Sequence, residues 1–98
     1  MDSEFEGVLF EWRGPAPFHF VAVPEDVCDD LREVAPLVSY GWGMVPARVS
    51  VGSSSWETAL WPKDGGYVVP VRDRYRRAER LELGRRVTLR IEVGSGDL

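Results

Sequence analysis

One cysteine, one histidine and two methionines are all that the 98-residue chain has of those types. With Cys28 alone, an intramolecular disulfide and a thiolate-built metal site are both excluded. With His19 alone, a general base, a histidine metal set or a Ser-His relay would rest on one side chain. His19 lies between Phe18 and Phe20 on a predicted strand and faces opposite to them, which reads as a surface or edge position. Long apolar runs are also missing, and none approaches the ~20 residues of a membrane-crossing helix. The opening Met1-Asp2-Ser3-Glu4 is acidic and lacks the apolar stretch of a secretory signal. Together with the unpaired thiol, this predicts a cytoplasmic protein.

What the chain does have is ordinary globular composition, 44% hydrophobic and 29% charged. Its length predicts one domain over residues 1–98, with an ordered core over 4–93 and a flexible tail over 94–98. The net charge of −4 argues mildly against a general nucleic-acid binder. That sum hides an asymmetry. Residues 1–71 carry eleven acids and four bases, whereas residues 72–98 carry eight bases and five acids.

Periodicity supplies the elements. Phe5–Trp12 and Phe18–Val23 read as two strands of a hairpin across the turn Gly14-Pro15-Ala16-Pro17. Pro24, Glu25 and Asp26 open a helix, on which Val27, Leu31 and Val34 make a narrow apolar stripe and which Pro36 is expected to stop. Ala47, Val49 and Val51 alternate with Arg48 and Ser50 as a half-buried strand. Trp56–Trp61 is a further strand, and Pro62-Lys63-Asp64-Gly65-Gly66 a strong turn. Tyr67–Val71 must be an edge strand or end at Pro70. Arg72–Leu83 reads as a helix with Tyr75, Ala78 and Leu81 inward and Gly84 at its end. Arg86–Val93 is the cleanest alternating strand. Six or seven clustered strands and two short helices predict a mainly β (β-rich α+β) protein, a small closed barrel rather than a doubly wound sheet. A strand running into Val23-Pro24 and a helix, echoed at Val69-Pro70, suits a barrel of two similar halves.

In this order, Val23-Pro24, Gly41-Trp42-Gly43-Met44-Val45-Pro46, Trp61-Pro62-Lys63-Asp64-Gly65-Gly66-Tyr67, Val69-Pro70-Val71, the arginine-rich helix, Leu83-Gly84 and Val87 resemble a bacterial domain-of-unknown-function family. That family is found alone or beside a YdeI/OmpD-associated domain, and the match spans roughly Phe5 to Val93. The resemblance implies a closed barrel related to the double-split barrels. It carries over no activity and no catalytic residue. The last third is also similar to the half-barrel of AbrB/MazE-type DNA-binding proteins, although Pro70 to Gly84 is longer than is usual there.

Two sets of residues are candidates for a site. Trp42 between glycines is either a stacking platform or a plug over one barrel end, with the plug favoured. Trp61 beside Lys63 suits an anionic or aromatic ligand at a pocket mouth, while Trp12, Trp56 and Trp61 also read as core or barrel-end packing. The second set is the run Arg72 to Arg86. On a helix, Arg72, Arg76 and Arg80 share one face, with Arg77 beside them, and such a stripe can hold phosphates. The alternatives are solvated arginines, or arginines paired with the acidic helix holding Asp26, Asp29, Asp30 and Glu33. Cys28 reads as a helix-packing residue. No catalytic set, metal site or cofactor is expected. The expected function is a binding module for a small ligand or protein partner at one barrel end. The alternatives are nucleic-acid binding through Arg72–Arg86 and, last, an enzyme with an unfamiliar site.

Overall fold

Alternation decides which side of each strand faces inward. Phe5 and Leu9 on the first strand, Val21 on the second, and Val87, Leu89 and Ile91 on the last are all buried, two or four residues apart. The computed structural model describes residues 1–13 and 18–94. It contains β1 (Asp2–Trp12), β2 (Phe18–Ala22), α1 (Glu25–Val38), β3 (Val45–Val51), β4 (Ser54–Lys63), β5 (Gly66–Val71), α2 (Asp73–Ala78) and β6 (Arg86–Glu92). The expected turn at 14–17 and most of the expected tail, 95–98, lie outside the described residues. No helix among the described residues is long and apolar enough to cross a membrane.

The six strands form a closed antiparallel barrel in the order β1-β2-β5-β4-β3-β6. Closure depends on two long strands. The first part of β1, Asp2 to Val8, pairs with β6, and its last part, Leu9 to Trp12, pairs with β2. β4 likewise pairs with β3 through Leu60 and with β5 from Trp61. The anticipated two-half construction is present in the pairing itself. Exchanging β1–β2–α1–β3 with β4–β5–α2–β6 leaves every strand pairing unchanged.

Gly7 marks the place where β1 passes from one partner to the other. A Cβ there would lie 2.5 Å from Val21 Cγ1 and 2.6 Å from the Ala22 carbonyl oxygen. Only glycine allows that approach. The β4–β5 hairpin turns on Asp64 and Gly65, both at positive φ (51° and 83°), as a two-residue turn with Asp-Gly requires. Pro70 is tolerated because the β4–β5 register ends at Val68, which leaves β2 as the strand opposite it, with Phe20 as its partner.

Both helices differ from expectation. α1 runs past Pro36 to Val38. A proline removes one backbone donor, but so near a helix end the loss is a single bond, and the Ser39 N–H still donates to the Ala35 carbonyl at 2.8 Å. α2 stops at Ala78 rather than Leu83. Arg80 adopts left-handed φ 54°. The Leu81 N–H then donates to the Arg76 carbonyl and the Arg80 N–H to the Arg77 carbonyl, the paired bonds that close a helix end. Gly84 lies in the following turn, its N–H bonded to the Leu9 carbonyl. Ala78, expected inward, is exposed, while Tyr75 and Leu81 pack against the core.

α1 buries Val27, Cys28 and Leu31. The Cys28 thiol donates to the Val23 carbonyl at 3.4 Å, in keeping with a packing role. At the start of β1, the Arg90 guanidinium donates to both carboxylate oxygens of Asp2 across the β1–β6 pair.

Two outcomes follow from this architecture. Gly7→Ala should lower stability by about 1–3 kcal/mol, read as a shift of the urea midpoint at unchanged slope. The hydrogen bond and charge of Arg90 hold the Asp2 carboxyl below its ordinary value of 3.8. A carboxylate with a depressed folded pKa contributes fully above its unfolded pKa, and the contribution disappears as pH falls through the folded value. The pair should therefore stabilise the barrel at neutral pH and stop doing so in acid below about pH 4. Asp2→Asn should flatten that part of the stability-versus-pH curve, measured by urea titration at stepped pH.

Candidate functional site

The parity that fills the barrel also determines what lies outside it. With Leu9 and Val21 inside, Phe10 and Trp12 on β1 and Phe18 and Phe20 on β2 point outward. The β1–β2 register sets Phe10 opposite Phe20 and Trp12 opposite Phe18. Trp61 joins from β4, its ring centroid 5.1 Å from Phe20 and 5.8 Å from Phe18. Beneath these rings Phe20 and Val68 are buried, yet neither belongs to the main core cluster. They form the floor of a second apolar cluster on the outer face of β1, β2, β5 and β4.

Among the described residues the cluster is not closed over. Trp12 is 49% and Phe18 47% exposed. Lys63 Nζ stands 4.9 Å from the centroid of the Trp12 ring, a cation over a π face, and 3.5 Å from Asp64 Oδ2. Of the ligand-binding candidates, Trp61 thus packs against Phe18 and Phe20, and Lys63 lies over Trp12. The sequence reading missed Trp12 and Phe18 as its most accessible rings. The usable signal was the even numbering of Phe10, Trp12, Phe18 and Phe20 against the odd numbering of the core.

Trp42 does not join this surface by any ring contact among the described residues. It sits in a turn closed by a Tyr40–Met44 bridge and is 96% exposed. The expectation of a plug is therefore corrected: the two flanking glycines, both at positive φ, carry the indole out into solvent.

The arginine stripe is also corrected. The helix ends before Arg80, so Arg72, Arg76 and Arg80 do not share a helical face. Arg76 pairs with Asp73 at 3.4 Å, whereas Arg85 and Arg86 pair with Glu82 and Glu6. Arg72, Arg77 and Arg80 are exposed and have no carboxylate in ion-pair range among the described residues. Pairing between the helices does not occur there either. Arg32 of α1 is engaged by Glu25 and Asp29 of its own helix. α2 is held by Tyr75, stacked on Trp56 with centroids 4.4 Å apart.

His19 lies at the barrel mouth rather than on the surface. Its Nε2 is 3.7 Å from Glu11 Oε2 and its Nδ1 3.4 Å from Asp73 Oδ1, and Glu11 in turn accepts from Arg13 at 3.2 Å. These groups tie β1, β2 and α2 together. Among the described residues no three of His, Cys, Asp and Glu stand in a metal-ligating arrangement.

A free-standing Trp42 has a measurable consequence. Trp42→Ala should change stability by no more than about 0.5 kcal/mol, as for a surface site. A plug would cost about 3–5 kcal/mol in the same chemical-denaturation experiment.

No curated protein matches this chain. The sequence pattern of one family does match, over residues 5–91, which takes in every strand except the first residues of β1 and the end of β6. The chain belongs to that family, DUF1905, a domain of unknown function with, in this chain, the form of a closed six-strand barrel.

Proposed function

We propose that the protein is a binding module whose contact surface is the outer aromatic face built by Trp12, Phe18 and Trp61 with Lys63. The observation that carries this reading is the exposure of Trp12 and Phe18 above a buried Phe20. A barrel whose interior is already filled gains little by holding two large rings half in water, and surfaces that bind partners are enriched in such side chains. Lys63 over Trp12 adds a positive charge at the ring face, which suits an aromatic or anionic group on the partner. The site therefore lies on the side of the barrel rather than at its end, and Trp42 is not part of it. We place this activity in the cytoplasm, on the support of a single free thiol, Cys28.

Anilinonaphthalene sulfonate, an aromatic anion, serves as the probe, used on a Trp42→Phe background that removes the exposed indole. Binding should alter tryptophan emission, and Trp12→Ala should weaken it by about tenfold, roughly 1.4 kcal/mol. Equal binding by the Trp12→Ala protein would show that the face is not the site.

A further inference from the structure

The aromatic face has a positive border. Val71 is buried inside the barrel and pairs with His19. One step further on, Arg72 remains in extended backbone (φ −75°, ψ 150°). Alternation places it on the outer side with Pro70, and the register brings it beside Phe18. Lys63 stands at Trp12. A cation thus lies over Trp12, and Arg72 falls next to Phe18 by register.

Beyond Arg72, the exposed arginines Arg74, Arg77 and Arg80 have no carboxylate in ion-pair range among the described residues. Asp64 stands 3.5 Å from Lys63 Nζ and Asp73 follows Arg72, while the largest acidic group belongs to α1. α1 carries Glu25, Asp26, Asp29, Asp30 and Glu33 and packs at the start of β5, where Cys28 Sγ lies 3.3 Å from where a Gly66 Cβ would be. α2 follows the opposite end of β5.

We propose that this face is a platform for single-stranded nucleic acid, a proposal that rests on the binding-face reading above. Bases stack on Trp12 and Phe18, and phosphates are held by Arg72 and Lys63, with Arg77 extending the positive border. Stacking needs bases that are free of a duplex, and every base offers a π face to a ring. A duplex reader of the helix-in-groove kind would need a longer helix than the six residues of α2. An acidic protein would satisfy the arginines, but it brings no succession of planar rings to the aromatic pair.

The test is fluorescence anisotropy of a labelled oligothymidylate of about twelve nucleotides with the full chain. The expected result is binding whose logarithm falls against log salt with a slope of about −2, as for three phosphates on a single strand. Trp12→Ala and Arg72→Glu should each weaken it by at least about tenfold, and Trp42→Ala should leave it unchanged. Each substituted side chain is exposed or half-exposed, and an unchanged melting temperature confirms the fold of each variant. A duplex of equal length should compete poorly.

Binding indifferent to both Trp12→Ala and Arg72→Glu overturns the proposal, as does a duplex that competes equally well. If the oligonucleotide fails to bind while anilinonaphthalene sulfonate still binds in a Trp12-dependent way, the nucleic-acid assignment falls and the binding face stands. If polyglutamate displaces the oligonucleotide at equal charge concentration, the partner is an acidic protein and the proposal falls.

Discussion

A ring of six strands cannot close if each strand lies flat in one sheet. Here β1 and β4 each serve two neighbours in succession, and that double pairing is the constraint on which the rest depends. It removes the open edges that a six-strand sheet would otherwise present. It also forces a close crossing at Gly7, where the backbone of β1 passes against Val21 and Ala22. Once closed, the interior is filled by fully buried Leu9, Leu60, Leu89 and Ile91, with Leu31 of α1 among them. Each such side chain contributes about 1.5–3 kcal/mol relative to exposure. The exposed ion pairs of the surface contribute about 0–1 kcal/mol each. Packing therefore sets the fold, and charge is left free to shape the outside.

Much of this was legible from alternation and turn chemistry. Arg86 to Val93 alternates so cleanly that β6 could be placed within a residue, and Asp64-Gly65 declared its hairpin by residue type alone. The failures have definite physical causes. Pro36 reads as a stop, but near a helix end the missing N–H costs only one bond. The end of α2 was hidden because Arg80 takes a left-handed conformation that local sequence assigns to glycine, so Gly84 seemed the terminator. The site was half legible. Lys63 lies over Trp12 and Trp61 packs against Phe18 and Phe20, while Trp12 was read as packing because tryptophan on a strand usually is. Trp56 is the tryptophan that fits that rule, buried beneath Tyr75. Position along the strand, rather than residue type, distinguishes the two.

The stack of Tyr75 on Trp56 anchors α2 through an aromatic contact. The Arg74 guanidinium lies over the Tyr75 ring, 5.2 Å from its centroid, whereas Arg72 and Arg77 remain at the surface. His19, between Glu11 and Asp73, adds a polar contact from the same helix to β1 and β2. The acidic α1 and the basic α2 follow corresponding strands, β2 and β5, and so come to occupy opposite parts of the barrel. Charge segregation along the sequence thereby becomes charge segregation in space.

The exchange symmetry of the two halves has one more effect. The axis that swaps β2 with β5 passes through the middle of the aromatic face, so a barrel of identical halves would look the same after half a turn. This one does not. The β1 flank offers Phe10 and Trp12, the β4 flank Trp61 and Lys63, and at the centre Phe18 and Phe20 of β2 oppose Val68 and Pro70 of β5. A chain laid across such a surface encounters different chemistry in its two possible directions. The difference between the halves gives an architecturally two-way surface a polarity.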